Sequence, residues 1–344
     1  IRFLARRPKC RARNDSSVTA RTWIVRRTRT PLSTILLLFA CVSCLGVDEG
    51  ASTSAPASPP VSQARLETVE LTSQVFDNTR LLRVLLPPGY DETTDLRYPV
   101  LYLLDGQTLF DAADSYTTHA WEVDEVVARL LGKGAIEPLI VVGIDNPGLS
   151  DRPNELLPWF DEYLSPPLPD PQGQRLPEFL VTEVMPVVES RYRILEDAVH
   201  SGLGGVSYGG LASLYAVIHR PGVFGRLLIK SPGLYVNDAA VLREAEAFDD
   251  WPRRVSLGVG TNEENRETCD PDDWSSEAVQ DVRRLHEILE GKGLSEDRLL
   301  LQVALCGQHD ERHYRRRLPR ALSFLHGSGP GGRVIQRLEE DLEE

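Results

Sequence analysis

Residues 202–221 read GLGGVSYGGLASLYAVIHRP, a lone serine set among glycines that runs directly into a helical pattern. Gly205-Val206-Ser207-Tyr208-Gly209 fits the spacing G-x-S-x-G, in which a strand turns sharply into a helix. At such an elbow the serine backbone is strained, and a side chain at either flanking glycine collides with the neighbouring strand or helix. The preceding VHSGLGGV is small and apolar like a buried strand end, whereas Leu211, Leu214, Tyr215 and Ile218 recur at helical spacing until Pro221 stops the helix. A glycine-containing turn can match five letters by chance. The elbow therefore demands more of the chain: an acid and then a histidine, in that order after the serine.

The strand and helix pattern says where to look for them. LLRVLLP, YPVLYLLD, PLIVVGID, RLLIKSP, RVSLGVG and LLLQVAL read as strands, and between them WEVDEVVARLLG, LPEFLVTEVMPVVESRY, AVQDVRRLHEILEGKG and YRRRLPRALSFLHG have helical periodicity. Such alternation predicts an α/β fold, a mostly parallel central sheet with helices on both faces, whose ligands bind at the carboxyl ends of the strands. RVSLGVGTNEEN ends in Glu263 and Glu264, and LLLQVALCGQHDERHY ends in His309, which gives the order Ser207, Glu263, His309. Of the seven histidines, His119, His200, His219, His286, His313 and His326 fall inside helices or follow no strand at a suitable place, so they read as surface or packing residues.

A serine hydroxyl is a weak nucleophile until an imidazole takes its proton, and the imidazole needs a carboxylate to fix its tautomer and steady its charge. Glu263 is the first choice for that carboxylate, with Glu264, Asp270 and Asp272 as rivals on the same loop. Two backbone N–H groups should face the developing oxyanion. Tyr208, next after the serine, supplies one; Gln107 in YLLDGQTLFD is the candidate for the other, although Asp-Gly is also an ordinary turn signal. His309-Asp310 and His313 could form a ligand pair, but a catalytic zinc wants a third protein ligand and no obvious one stands near them, so neither a metal nor another cofactor is expected.

The N-terminal part is of a different kind. Residues 1–43 hold ten Lys or Arg and one acid, and PLSTILLLFACVSC is an apolar run of signal-peptide length, too short to span a bilayer comfortably. Cys44 ends that run behind Val42 and Ser43 and resembles a bacterial lipobox, with Cys41 where leucine is usual. Residues 1–44 are therefore read as a basic flank and a signal or lipoprotein-like segment. The expectation is a chain exported to the periplasm or cell surface and anchored by lipid on Cys44, with ordinary secretion or a signal anchor as the alternatives. Ile1 in place of Met points to a misassigned or unusual start.

Beyond residue 43 the chain carries 28 basic and 50 acidic residues, a charge of −22 that excludes nucleic acid and anionic lipid as natural partners and leaves neutral, cationic or small molecules. Residues 45–64 are a Ser/Ala/Pro-rich linker, 65–328 the folded domain and 329–344 an acidic tail ending in RLEEDLEE. Cys269 and Cys306 lie in the domain. If Glu263 and His309 meet, these cysteines are drawn together and can form a disulfide; two separate buried thiols are the alternative.

YPVLYLLDGQTLF, IVVGIDNPGLSDRPNE, GLGGVSYGGLASLYAVIHRPGVFGRLLIKSP, VGTNEEN and CGQHDERHYRRRLPRALSFL together make residues 65–328 resemble the esterase family that includes esterase D and the siderophore (enterochelin) esterases. The resemblance implies an α/β-hydrolase fold with Ser207 as nucleophile, Glu263 as acid, His309 as base, and Gln107 and Tyr208 as oxyanion donors. It also places Arg152 and Glu155 in the segment that walls the substrate pocket in relatives, where a surface ion pair is the competing role. The family often has Met at the position of Tyr208 and Trp at that of Tyr314, so the pocket's shape differs while the triad does not. What is implied is an exported serine carboxylesterase acting on a small-molecule ester, a siderophore lactone among the candidates. A feruloyl or acetyl carbohydrate esterase, an acyltransferase of the same fold and a binding module without turnover are the alternatives.

Overall fold

The strand reading YPVLYLLD sets the architecture through its period of two. In β3 (Val100–Leu104) the side chains of Val100, Tyr102 and Leu104 enter one apolar core and those of Leu101 and Leu103 another. A strand buried on both faces must lie inside a sheet covered on both sides. The computed structural model describes residues 63–116 and 118–337. The basic flank, the signal-like run, Cys44, nearly all of the linker and residues 338–344 lie outside the described residues.

Nine strands form one sheet in the order β1-β2-β4-β3-β5-β6-β7-β8-β9. Besides β3 they are β1 (Arg65–Ser73), β2 (Asn78–Leu86), β4 (Ile140–Ile144), β5 (Ser201–Val206), β6 (Arg226–Lys230), β7 (Arg254–Asn262), β8 (Leu299–Gln308) and β9 (Gly332–Arg337). The pairs β1–β2 and β2–β4 are antiparallel and all others parallel. Helices α1 (Val123–Gly132) and α8 (Glu311–His326) cover one face. The other is covered by α3 (Leu176–Phe179), α4 (Met185–Arg191), α5 (Tyr208–His219), α6 (Val236–Ala247) and α7 (Glu277–Gly291), with the short α2 (Arg152–Leu156) beside them. Among the described residues no helix is long and apolar enough to cross a membrane.

The reading of 329–344 as a tail needs correction, because Gly332–Arg337 pairs with β8 from Leu300 to Leu305 as a parallel edge strand. Only Val334 and Ile335 of its six residues are apolar, and Ile335 is exposed, so the segment lacks the apolar run by which interior strands announce themselves. Two further elements carry no strong sequence pattern: β1, which is exposed along much of its length, and α6, which is alanine-rich and interrupted by left-handed Asn237, Asp238 and Ala239.

The position of β3 locates the site. After β3 the chain passes to β4 on one side, and β5 then pairs on the other, so a crevice opens beyond the carboxyl ends of β3 and β5. Asp105, Gly106 and Gln107 follow β3, and Ser207 follows β5.

Candidate active site

Ser207 caps the N-terminus of α5 with φ 56° and ψ −125°, a strained conformation for any residue with a Cβ. The strain is held from both sides: its N–H donates to the carbonyls of Lys230 and Ser231, at 3.1 Å each, and its carbonyl accepts from Leu211 N and Gly233 N at 3.1 Å. A Cβ on Gly205 would lie 2.5 Å from the Gly209 backbone, and one on Gly209 would lie 3.0 Å from Asp105 Oδ2. The elbow closes only because both are absent.

Glu263 directly follows β7 and His309 directly follows β8. The last residues of these strands cross closely. The β7–β8 register shifts between Gly260 and Asn262, and a Cβ on Gly260 would sit 2.1 Å from Gly307 O. This brings Glu263 Oε2 to 2.7 Å from His309 Nδ1. Glu263 is buried; its other oxygen accepts from Gly260 N and from Ser231 Oγ at 2.5 Å, and Ser231 Oγ in turn accepts from Arg317 Nη2 at 2.8 Å. Burial pushes the Glu263 carboxyl up, but the hydrogen bond to His309, the charges of His309 and Arg317 and the Ser231 hydroxyl outweigh it and hold the group below its ordinary value. The rivals are elsewhere: Glu264 pairs with Arg266 at 2.9 Å, and Asp270 and Asp272 are exposed. Cys269 and Cys306 form a disulfide with Cα atoms 5.6 Å apart, which ties the loop after Glu263 to the end of β8.

Ser207 and His309 line one cavity of about 210 Å³, together with Tyr208, Arg152, Tyr116, Thr108 and Glu311. The Tyr314 ring meets His309 edge to face, with centroids 5.5 Å apart. Tyr208 sits at the first position of α5, where the N–H points out of the helix end, and its hydroxyl donates to buried Asp161 at 2.6 Å. Gln107 does not line the cavity with its side chain. Its amide pairs reciprocally with Asn146, Nε2 donating to Oδ1 at 2.9 Å and Oε1 accepting from Asn146 N at 3.2 Å, and it also bonds Tyr116. Asn146 in turn donates to Asp105 Oδ1 at 2.6 Å, so the turn carrying Gln107 is fixed by side chains.

Arg152 and Glu155 part company. Arg152 lines the cavity and forms a two-pronged ion pair with Asp105, 2.7 Å on each prong. Glu155 points away from the cavity; it binds Arg80 through both oxygens, at 2.6 and 2.7 Å, and accepts from Asn78. Both pairs are buried, so neither is a surface ion pair. Ser231, Arg317, Asp105 and Asn146 have no counterpart in the sequence reading. Ser231 and Asn146 could have been noticed because they follow strands; Arg317 is one of three consecutive arginines, and nothing in the sequence says which of them turns inward. Among the described residues no group of three or more His, Cys, Asp or Glu could hold a metal ion.

The profile of a family described as "Putative esterase" matches residues 73–325. A siderophore triacetylfusarinine C esterase of Aspergillus fumigatus is 32% identical over 155 residues, 44% of this chain and 49% of that protein, so the chain spans about half the length of this relative. The enterobactin esterase of Shigella flexneri superimposes with a TM-score of 0.57 at 20% identity, over 78% of this chain and 60% of that one. A ferulic acid esterase of Anaeromyces mucronatus does so with 0.54 at 21% identity, over 78% and 94%. The structural likenesses show a shared α/β-hydrolase-like fold.

Proposed function

Because the chain belongs to the family described as "Putative esterase", whose members act on carboxylic esters, we propose that it is a serine carboxylesterase in which Ser207, Glu263 and His309 form the triad. The observation that carries this reading is the 2.7 Å contact between His309 Nδ1 and buried Glu263 beside a strained serine in the same cavity wall. Glu263 accepts a hydrogen bond from Nδ1–H and so holds the proton on Nδ1, which leaves Nε2 as the basic nitrogen that takes the Ser207 proton as Oγ attacks the ester carbonyl. The oxyanion is met by the backbone N–H groups of Tyr208 and Gln107. The alcohol leaves with the proton returned by His309; water then attacks the acyl-serine by the same route in reverse. Arg152 forms part of the pocket wall, where its guanidinium is already engaged by Asp105 and presents little free charge to a substrate.

The substrate assigned first is a siderophore-type lactone, on the strength of the siderophore and enterobactin esterases among the relatives. A feruloyl ester is the second reading. It rests on the ferulic acid esterase among the structural neighbours. Export completes the proposal, supported by a disulfide of a kind that persists in oxidising compartments. Labelling by a fluorophosphonate probe, followed by turnover of a trilactone, a feruloyl ester and a short p-nitrophenyl ester, tests it. The expected outcome is one labelled serine and preference for the trilactone; feruloyl preference selects the second reading, and absence of both label and turnover rejects the enzyme.

A further inference from the structure

Gln107 and Tyr208 stand on different turns, one after β3 and one after β5. The ladder between these strands pairs Val100–Leu103 with Ser201–Gly204 and stops short of both turns. An oxyanion hole works only if its donors are fixed before the charge appears, so the spacing between the two turns must be set by something other than the sheet.

Arg152, on α2, spans the gap. It grips Asp105 with two prongs, Nε on Oδ1 and Nη2 on Oδ2, each at 2.7 Å. The same Nη2 reaches the carbonyl of Val206 at 3.4 Å, and the guanidinium carbon lies 5.6 Å from the centre of the Tyr208 ring. Asp105 is two residues before Gln107, and Val206 is two before Tyr208. One guanidinium therefore touches both turns.

Asp105 completes the brace. Its backbone is left-handed, with φ 62° and ψ 48°, and its carbonyl accepts from Thr108 N and Thr108 Oγ1 at 2.9 Å each, which curls the chain around Gln107. Its Oδ2 lies 3.0 Å from where a Cβ on Gly209 would stand, so the carboxylate packs directly on the elbow. Asn146 Nδ2 donates to Oδ1 at 2.6 Å. Asp105 is 3% and Arg152 8% exposed, and a buried fork of this kind fixes direction as well as distance.

We infer that Arg152 and Asp105 are positioning residues that hold the N–H groups of Gln107 and Tyr208 at the spacing the oxyanion requires, and that Arg152 does not select the substrate by its charge. Their role rests on the proposed reading of those N–H groups as oxyanion donors. Misplacing such a donor by about 1 Å lowers the rate on the order of a hundredfold. Lysine is no substitute, because a single ammonium cannot grip both carboxylate oxygens in the plane of a fork.

The test compares Arg152→Lys and Asp105→Asn with the parent on a short p-nitrophenyl ester and on its thiono analogue, whose sulfur accepts hydrogen bonds poorly and so draws little on the oxyanion donors. In both variants kcat for the oxygen ester should fall about a hundredfold with KM within about twofold, and turnover of the thiono ester should change little. Asp105→Asn keeps the side-chain volume and carries the test if Arg152→Lys does not fold. Arg80→Lys breaks the other buried two-pronged pair of α2, that with Glu155, and should lower the unfolding temperature while leaving kcat within about twofold of the parent's. Unchanged kcat in the Arg152 and Asp105 variants, a raised KM at unchanged kcat, parallel losses on both esters, or an equal loss in Arg80→Lys each overturns the brace. A parent that turns over neither ester, or both alike, removes the oxyanion reading itself, which sets that failure apart from failure of the brace.

Discussion

The elbow that carries Ser207 and the loops that bring Glu263 to His309 are built on opposite principles. The elbow is local: five consecutive residues, two of them glycines that could not hold a side chain, fix the serine by contacts with Gly209 and Asp105 and by hydrogen bonds to the adjoining end of β6. The proposed acid–base pair is remote. It joins residues 46 positions apart and rests on a register shift, a disulfide and the chain of contacts from Arg317 through Ser231 to the Glu263 carboxylate. A local device depends on its own residues, whereas a remote one depends on the whole sheet edge. The first should therefore break at a single atom and the second by degrees.

The largest effect is expected at the elbow. Ser207→Ala removes the proposed nucleophile and one hydroxyl's worth of packing, so esterase turnover should fall by several powers of ten while thermal unfolding stays close to the parent's. Hydrolysis of a short ester at the parent's rate would move the nucleophile elsewhere.

Next comes the proposed acid, Glu263. Glu263→Gln keeps the shape but cannot steady an imidazolium, and a loss on the order of 10⁴ in kcat is expected, against little change for Glu264→Gln, whose side chain is turned to Arg266. The same variant reports on pH. The folded carboxyl sits below its ordinary value, so the ionised form adds stability above about pH 4.3 that drains away as the pH falls through the lowered value. Between pH 5 and 3 the parent should therefore lose more stability than Glu263→Gln. Parallel unfolding curves for the two proteins across that range would show that the carboxylate is not favoured by the fold.

This contrast also explains what could be read from the sequence. Ser207, the alternating strands and the order serine, acid, histidine were all legible, because each is a matter of neighbours or of residues that directly follow an apolar strand. Glu263 could be ranked above Glu264 but not separated from it, since only the β7–β8 crossing aims one carboxylate at His309 and leaves the other on Arg266. Arg152 and Glu155, three residues apart on α2, looked equivalent. The fold sends one to Asp105 at the cavity and the other to Arg80 behind it, a difference set by partners 47 and 75 residues distant. β9 was hidden for a related reason, as a short edge strand with only two apolar residues draws its definition from its partner β8 and not from its own pattern.

The smallest effect on turnover, and the sharpest test of a pair held by degrees, concerns Cys269 and Cys306. Their bridge closes 37 residues and joins the loop that follows the acid to the strand that precedes the base. On chain-entropy grounds its loss costs about 3–4 kcal/mol of stability, because the unfolded chain regains the freedom the loop had lost. The contacts that aim Glu263 survive that loss: Ser231 Oγ, Gly260 N and His309 Nδ1 remain in place, as does the bond from Cys306 N to Thr261 Oγ1 at 2.8 Å, which uses the backbone and not the sulfur. The Cys269→Ser/Cys306→Ser double variant should thus unfold at a clearly lower temperature and yet retain kcat within a few-fold of the parent at 25 °C, with the deficit widening as temperature rises and the two loops separate. Unfolding at the parent's temperature would mean that the bridge adds nothing to stability. A fall in kcat at 25 °C as deep as that of Glu263→Gln would mean that the acid–base pair hangs on the disulfide alone and is as brittle as the elbow.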